Sequence, residues 1–129
     1  MFPTARYDQR AGRYVPYTDY LEIEGYDFTG ATVKAQVRDR KNGGQVRADL
    51  AQVTTAAAEG IRIDDVVVTE GVPTTRIAWR VNETTMEAMP KTDPGADVEL
   101  WFDIHLTPIG ELKFVLLGGR FLVEAGVTS

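Results

Sequence analysis

The stretch DVELWFDIHLTP places Glu99, Trp101, Asp103 and His105 at every second position, each separated from the next by an apolar residue. Alternation of this kind belongs to a β-strand, whose successive side chains point to opposite faces. The four therefore share one face, and Val98, Leu100, Phe102, Ile104 and Leu106 share the other. On a strand, residues two apart lie about 6.6 Å from each other and residues four apart about 13 Å. Asp103 and His105 are close enough to cooperate in moving a proton, and Glu99 is too far along the strand to join them. Trp101, Asp103 and His105 together are also candidate surface-binding residues. The plainer reading is the wet side of a sheet, where charged residues are ordinary.

The rest of the inventory narrows the chemistry. The chain has no cysteine, one histidine (His105), and one serine, Ser129, at its last position. A Ser/His/Asp triad would need that last residue as its nucleophile, and a Cys/His pair cannot be built. No glycine-rich loop opens a helix as a phosphate-binding loop does, and LLGGRF sits in a strand-like run. A zinc site would have to rest on one histidine and carboxylates. Asp64, Asp65 and Asp103 are hard-cation ligands by type, but adjacent strand residues diverge. The expectation is a protein with no catalytic residues, no cofactor and no metal. Trp79 and Trp101 with Tyr14, Tyr17, Tyr20 and Tyr26 could form a stacking platform for carbohydrate. Alternatively, Trp79 is core and the tyrosines serve a subunit contact, where aromatics are enriched.

The elements that must position these residues fit within one domain, since 129 residues is an ordinary domain length. With 43% hydrophobic residues the chain can bury a core without a staple. The net charge of -5 argues against binding nucleic acid, because phosphate contacts come from clustered Lys and Arg. The absence of cysteine fits a reducing cytosol, and no apolar run approaches the roughly 20 residues that span a bilayer. Met1 to Pro16 lacks the apolar core of a signal peptide, which points to a soluble protein that is not exported.

Strand signals recur along the chain. In YTDYLEIEG, Leu21 and Ile23 alternate with Tyr20, Glu22 and Glu24; in TVKAQVR, Val33, Ala35 and Val37 face inward. DRKNGG reads as a reversing loop turning at Asn42-Gly43, and a strand over Val46 to Val53 follows. GIRIDDVVVTE carries a bulge at Asp64-Asp65, where alternation breaks. TTRIAWRV is its partner, with the turn between them at Gly71 to Pro73. NETTMEAMP predicts one turn of helix crossing between sheets. The C-terminal third predicts a hairpin around Pro108-Ile109-Gly110, then a break at Gly118-Gly119 and a further edge strand. The fold class expected is all-β, a single antiparallel sandwich of about seven or eight strands, immunoglobulin-like or jelly-roll-like, over residues 17–129.

Residues 1–16 are expected to form an extended arm. Pro3, Gly12 and Pro16 break any regular structure, and three arginines stand against one acid, Asp8. The arm nevertheless carries Phe2, Arg6, Tyr7, Arg10, Arg13 and Tyr14, residue types that dominate interface hot spots. These residues are expected to be disordered in the free monomer and to dock on a neighbouring subunit.

The order TDYLEIEGYDFTGATVKAQVRDRKNGG, GIRI, TTRIAW and DVELWFDIHLTPIGELKFVLLGGRFLVEAGVT resembles the small β-sandwich of virion proteins in tailed phages and prophages. It is most similar to the N-terminal domain of the phage baseplate upper protein family. Tyr26 through Arg38 correspond to that family's DLTGAT…QVR strand, Phe102 through Gly110 to its YDI…G hairpin, and Gly119 through Thr128 to its closing strand. The stalk and receptor-binding regions expected after such a domain do not follow here, and the arm is additional. The resemblance implies a structural virion protein, without enzymatic activity, that mediates assembly in the tail, baseplate or fibre attachment. Its partners would be other phage structural proteins and further copies of itself, a homo-oligomer made in the host cytoplasm and carried in the virion. It implies neither a nucleic-acid nor a membrane partner. The alternatives are a carbohydrate- or host-surface-binding module, with a glycan ligand, and a head-decoration or collar protein.

Overall fold

The computed structural model describes residues 5–90 and 96–125. Strands hold 59% of the described residues and helix 4%, in two packed sheets that are mostly antiparallel. The elements in chain order are β1 (Ala5–Arg6), β2 (Gln9–Gly12), β3 (Tyr17–Glu24), β4 (Thr32–Arg38), β5 (Val46–Leu50), β6 (Gly60–Thr69), β7 (Val72–Val81), α1 (Glu83–Glu87), β8 (Val98–Thr107) and β9 (Phe114–Glu124). One sheet runs β3-β7-β6; the other runs β5-β4-β8-β9, with β1 and β2 along the outer edge of β9. This division of strands is that of an immunoglobulin-like Greek-key sandwich.

The alternating apolar positions meet between the sheets. Val33, Ala35 and Val37 of β4 and Leu100, Phe102, Ile104 and Leu106 of β8 are buried from one side, Ile61, Ile77, Trp79 and Val81 from the other. The rings of Trp79 and Phe102 lie 5.3 Å apart across the gap, Phe102 continues to Phe121 at 6.0 Å, and Tyr17 meets Phe121 edge-on at 5.3 Å. Each of these aromatics is worth about 1.5–3 kcal/mol in burial alone. Loops are pinned to this core by single side chains. The hydroxyl of the fully buried Thr75 donates to the Tyr26 carbonyl at 2.7 Å and accepts from the Phe28 amide at 3.0 Å.

The register shift between Ile63 and Asp65 puts a bulge where the alternation breaks. The β6–β7 turn sits on Glu70-Gly71, one residue earlier than the sequence suggests, because Val72 already pairs with Thr69. Both turn residues have positive φ, 53° and 80°, the two-residue geometry that matches strand twist. Helix α1 joins the two sheets as expected. Its N-cap, Asn82, makes no side-chain cap bond, since its Oδ1 accepts from Arg80 Nε at 2.8 Å.

Two expectations about the chain ends are corrected. First, β9 runs unbroken through Gly118-Gly119 and is no edge strand, because β8 pairs with one side of it and β1 and β2 with the other. Second, residues 5–12 are not a free arm outside a body that begins at residue 17. They pair in parallel with β9, Ala5 with Leu117 and Gln9 through Gly12 with Phe121 through Glu124. The exposed edge of β9 would otherwise present a row of unpaired amides and carbonyls. Gln9, Ala11 and Arg13 turn inward and are buried. Arg13 carries its charge inside by donating to the carbonyls of Met89 and Pro90, each at 2.7 Å.

Between β1 and β2 the backbone crosses β9 closely. A Cβ on Gly119 would lie 2.0 Å from the Tyr7 carbonyl oxygen. There the Asp8 carboxylate takes the acceptor's place in the ladder, receiving the Arg120 amide at 2.9 Å. Gly119→Ala is therefore expected to lift the first strand from the sheet and lower unfolding free energy by about 1–3 kcal/mol. Urea titration with hydrogen exchange of residues 9–12 checks this; wild-type stability and protection in the variant would exclude the pairing.

Candidate functional site

On the outer face of the larger sheet, β8 presents Trp101, Asp103 and His105, and antiparallel pairing sets Lys34 opposite His105 and Arg38 opposite Trp101. Asp103 is not the solvated carboxylate the alternation suggests. It is buried, because the Arg38 guanidinium reaches diagonally across and forms an ion pair with its Oδ2. His105 Nε2 lies 3.7 Å from the same oxygen, beyond hydrogen-bonding reach. Arg38 thus occupies the carboxylate that His105 would need for proton transfer.

Trp101 lies over Gly118, whose added Cβ would come 3.2 Å from the ring. Two cations converge on the indole: Lys41 Nζ at 5.3 Å and Arg6 Cζ at 5.7 Å from the ring centroid. Lys41 arrives on the loop after β4, Arg6 on β1. Together these residues wall an open cleft of about 500 Å³. Sequence reasoning selected Trp101, Asp103 and His105 but not Arg38 or Lys41. The available signal was RDRKNGG, whose basic residues antiparallel pairing carries toward Trp101.

The remaining arm residues have intramolecular work. The Tyr7 hydroxyl donates to Asp19 Oδ2 at 2.7 Å. The Tyr17 hydroxyl faces Asp19 Oδ2 at 2.9 Å and Gln9 Oε1 at 2.8 Å, and Trp79 Nε1 donates to that same Gln9 oxygen at 2.9 Å. Arg10 is exposed on β2 and Tyr14 is half-buried; Phe2 lies outside the described residues.

The aromatic platform is not assembled. Trp79 is core, Tyr17 packs on the core, Trp101 lies on one outer face and Tyr20 on the other, where Arg76 stacks on it at 3.8 Å. Asp64 belongs to the smaller sheet and pairs with Arg62 at 3.1 Å, while Asp103 belongs to the larger one. Among the described residues no three His, Asp or Glu side chains gather as a metal site. No helix there is long and apolar enough to cross a membrane.

The tyrosine cluster has a measurable signature. The hydrogen bond to Asp19, with burial and the Asp19 charge adding to it, pushes the Tyr7 hydroxyl up to about 12. Burial first, then the charge of Asp19, drives Tyr17 further in the same direction. Groups whose folded pKa is raised contribute stability that is complete below the unfolded value near 10. That contribution fades as pH climbs through the folded values. Stability is therefore expected to hold to about pH 10 and to fall above it. In absorbance titration of the phenolates, Tyr7→Phe and Tyr17→Phe should each remove part of the late-ionising signal. Early ionisation of both in the folded protein would contradict the geometry.

Comparison with models of known protein families gives no match to this sequence. Comparison with curated proteins gives no match either.

Proposed function

We propose that this chain is a structural protein of a tailed-phage particle. It acts through subunit contacts in the tail, baseplate or fibre attachment, and it works as a homo-oligomer beside other virion proteins. Its sequence resemblance to the baseplate upper protein sandwich supports this reading, and one observation carries it. The β3–β4 loop, the β6–β7 turn and the β8–β9 loop share one end of the sandwich. That end holds Leu112, 90% exposed, Ile109, 74% exposed, and Val68, 63% exposed. Apolar residues gathered outside a well-filled core mark contact with another molecule. The β3–β4 and β8–β9 loops also occupy the positions of two of the three recognition loops of antibody variable domains.

Neither Leu112 nor Ile109 holds the fold: both lie largely in solvent, and Ile109 sits against Gly30. The double variant Ile109→Glu, Leu112→Glu is expected to keep a wild-type circular dichroism spectrum. Its sedimentation should shift to smaller species, and its incorporation should drop at least about tenfold, since two buried apolar side chains contribute a few kcal/mol. Incorporation is measured in particles produced from the genome that encodes the chain. Unchanged sedimentation together with normal incorporation would overturn the reading.

A further inference from the structure

We propose that the outer face of the larger sheet, centred on Trp101, is a binding cleft for a carboxylate-bearing saccharide. This inference does not depend on the virion reading. The cleft of about 500 Å³ beside Trp101 continues into a second hollow of about 200 Å³, the two sharing Asp103 and His105. Arg6, Arg38 and Lys41 line the first, and Lys34 and Lys113 the second; Asp103 is the one carboxylate lining either. Of these five, Arg38 is ion-paired with Asp103, Arg6 with Asp8 at 3.4 Å and Lys34 with Asp49 at 3.8 Å, while Lys41 and Lys113 have no carboxylate partner among the described residues. Like charges brought together repel, and the arrangement is favourable when an anion sits among them. Arg6 and Lys41 are brought there by separate elements and meet on a single indole.

The remaining groups select the kind of anion. The half-buried ring of Trp101, flanked by cations, offers apolar surface to the C–H side of a pyranose. Arg6 and Lys41 flank that surface with donors suited to a carboxylate, the strongest class of hydrogen bond available to them. His105 and Asn42 add hydrogen-bonding groups at the rim for sugar hydroxyls. A single-stranded nucleic acid uses successive aromatic platforms for successive bases; here Trp101 is the one Phe, Tyr or Trp lining either hollow. With a single aromatic platform, a uronate fits the cleft better than a run of stacked bases. From Trp101 to His105 the strand spans about 13 Å, the scale of a short oligosaccharide.

The test is calorimetric titration of the full chain with oligogalacturonate, alongside a neutral malto-oligosaccharide and an oligothymidylate of similar length. Oligogalacturonate is expected to bind and to weaken as salt rises, while the neutral sugar does not. Loss of two charged contacts in Arg6→Ala, Lys41→Ala should weaken binding at least about tenfold. Trp101→Ala should weaken it as well, and Trp101→Phe should restore part of the loss. Circular dichroism melts confirm that each variant folds. Because Trp79 is buried, a fluorescence change that persists in Trp79→Phe and vanishes in Trp101→Phe reports the cleft itself. No binding of oligogalacturonate, equal binding of the neutral sugar, or tighter binding of oligothymidylate would each overturn the proposal.

Discussion

One amide oxygen holds the two ends of this architecture together. Gln9 Oε1 receives the indole N–H of Trp79 at 2.9 Å and faces the Tyr17 hydroxyl at 2.8 Å. Both rings belong to the aromatic group that joins the sheets. A buried indole N–H without a partner costs about 1–3 kcal/mol, so Trp79 is unsatisfied until Gln9 arrives, while the Tyr17 hydroxyl also has Asp19. The arrival of Gln9 places β2 along β9, which carries Arg13 into the carbonyls of Met89 and Pro90 and Arg6 onto Trp101. The filling of the core and the shape of the outer cleft therefore depend on the same strand.

Much of the sandwich was legible because its strands obey a simple period. The alternation in β4 and β8 identified their inner faces, and the broken alternation at Asp64-Asp65 marked a true bulge. The first strand was illegible for a physical reason: its inward residues are Gln9, Ala11 and Arg13, so the polarity code is inverted. The Oε1 of Gln9 accepts from the Trp79 indole, while its Nε2 is buried without a partner among the described residues; Arg13 is tolerated because two carbonyls meet it. Neither partner is near in sequence. The glycine pair in β9 misled similarly, since Gly119 permits a close backbone approach and does not end a strand.

The site was half legible. Trp101, Asp103 and His105 share a face as their spacing requires, but spacing along one strand says nothing of what the neighbours supply. Arg38 converts Asp103 from a free carboxylate into the buried half of an ion pair, and Lys41 and Arg6 convert Trp101 from a surface aromatic into the floor of a basic cleft. The two sheets accordingly expose different surfaces. The outer face of the larger sheet concentrates cations around the indole. On the smaller sheet Arg76 stands opposite Glu22 and Asp65 on the flanking strands, and its guanidinium is stacked on Tyr20.

The parallel seam between β1, β2 and β9 also orders events in time. The Arg120 amide and the Asp8 side chain it binds are separated by 112 positions, nearly the whole chain. A ribosome releases β1 and β2 first and β9 last, so the opening strand has no edge to join while the intervening strands form. Contacts of such separation carry the largest loop-closure cost and form late. Until then Gln9 is in water, and the donors of Trp79 and Tyr17 lack the acceptor that β2 provides. The pairing of β1 and β2 with β9 thus completes the core and the Trp101 cleft together.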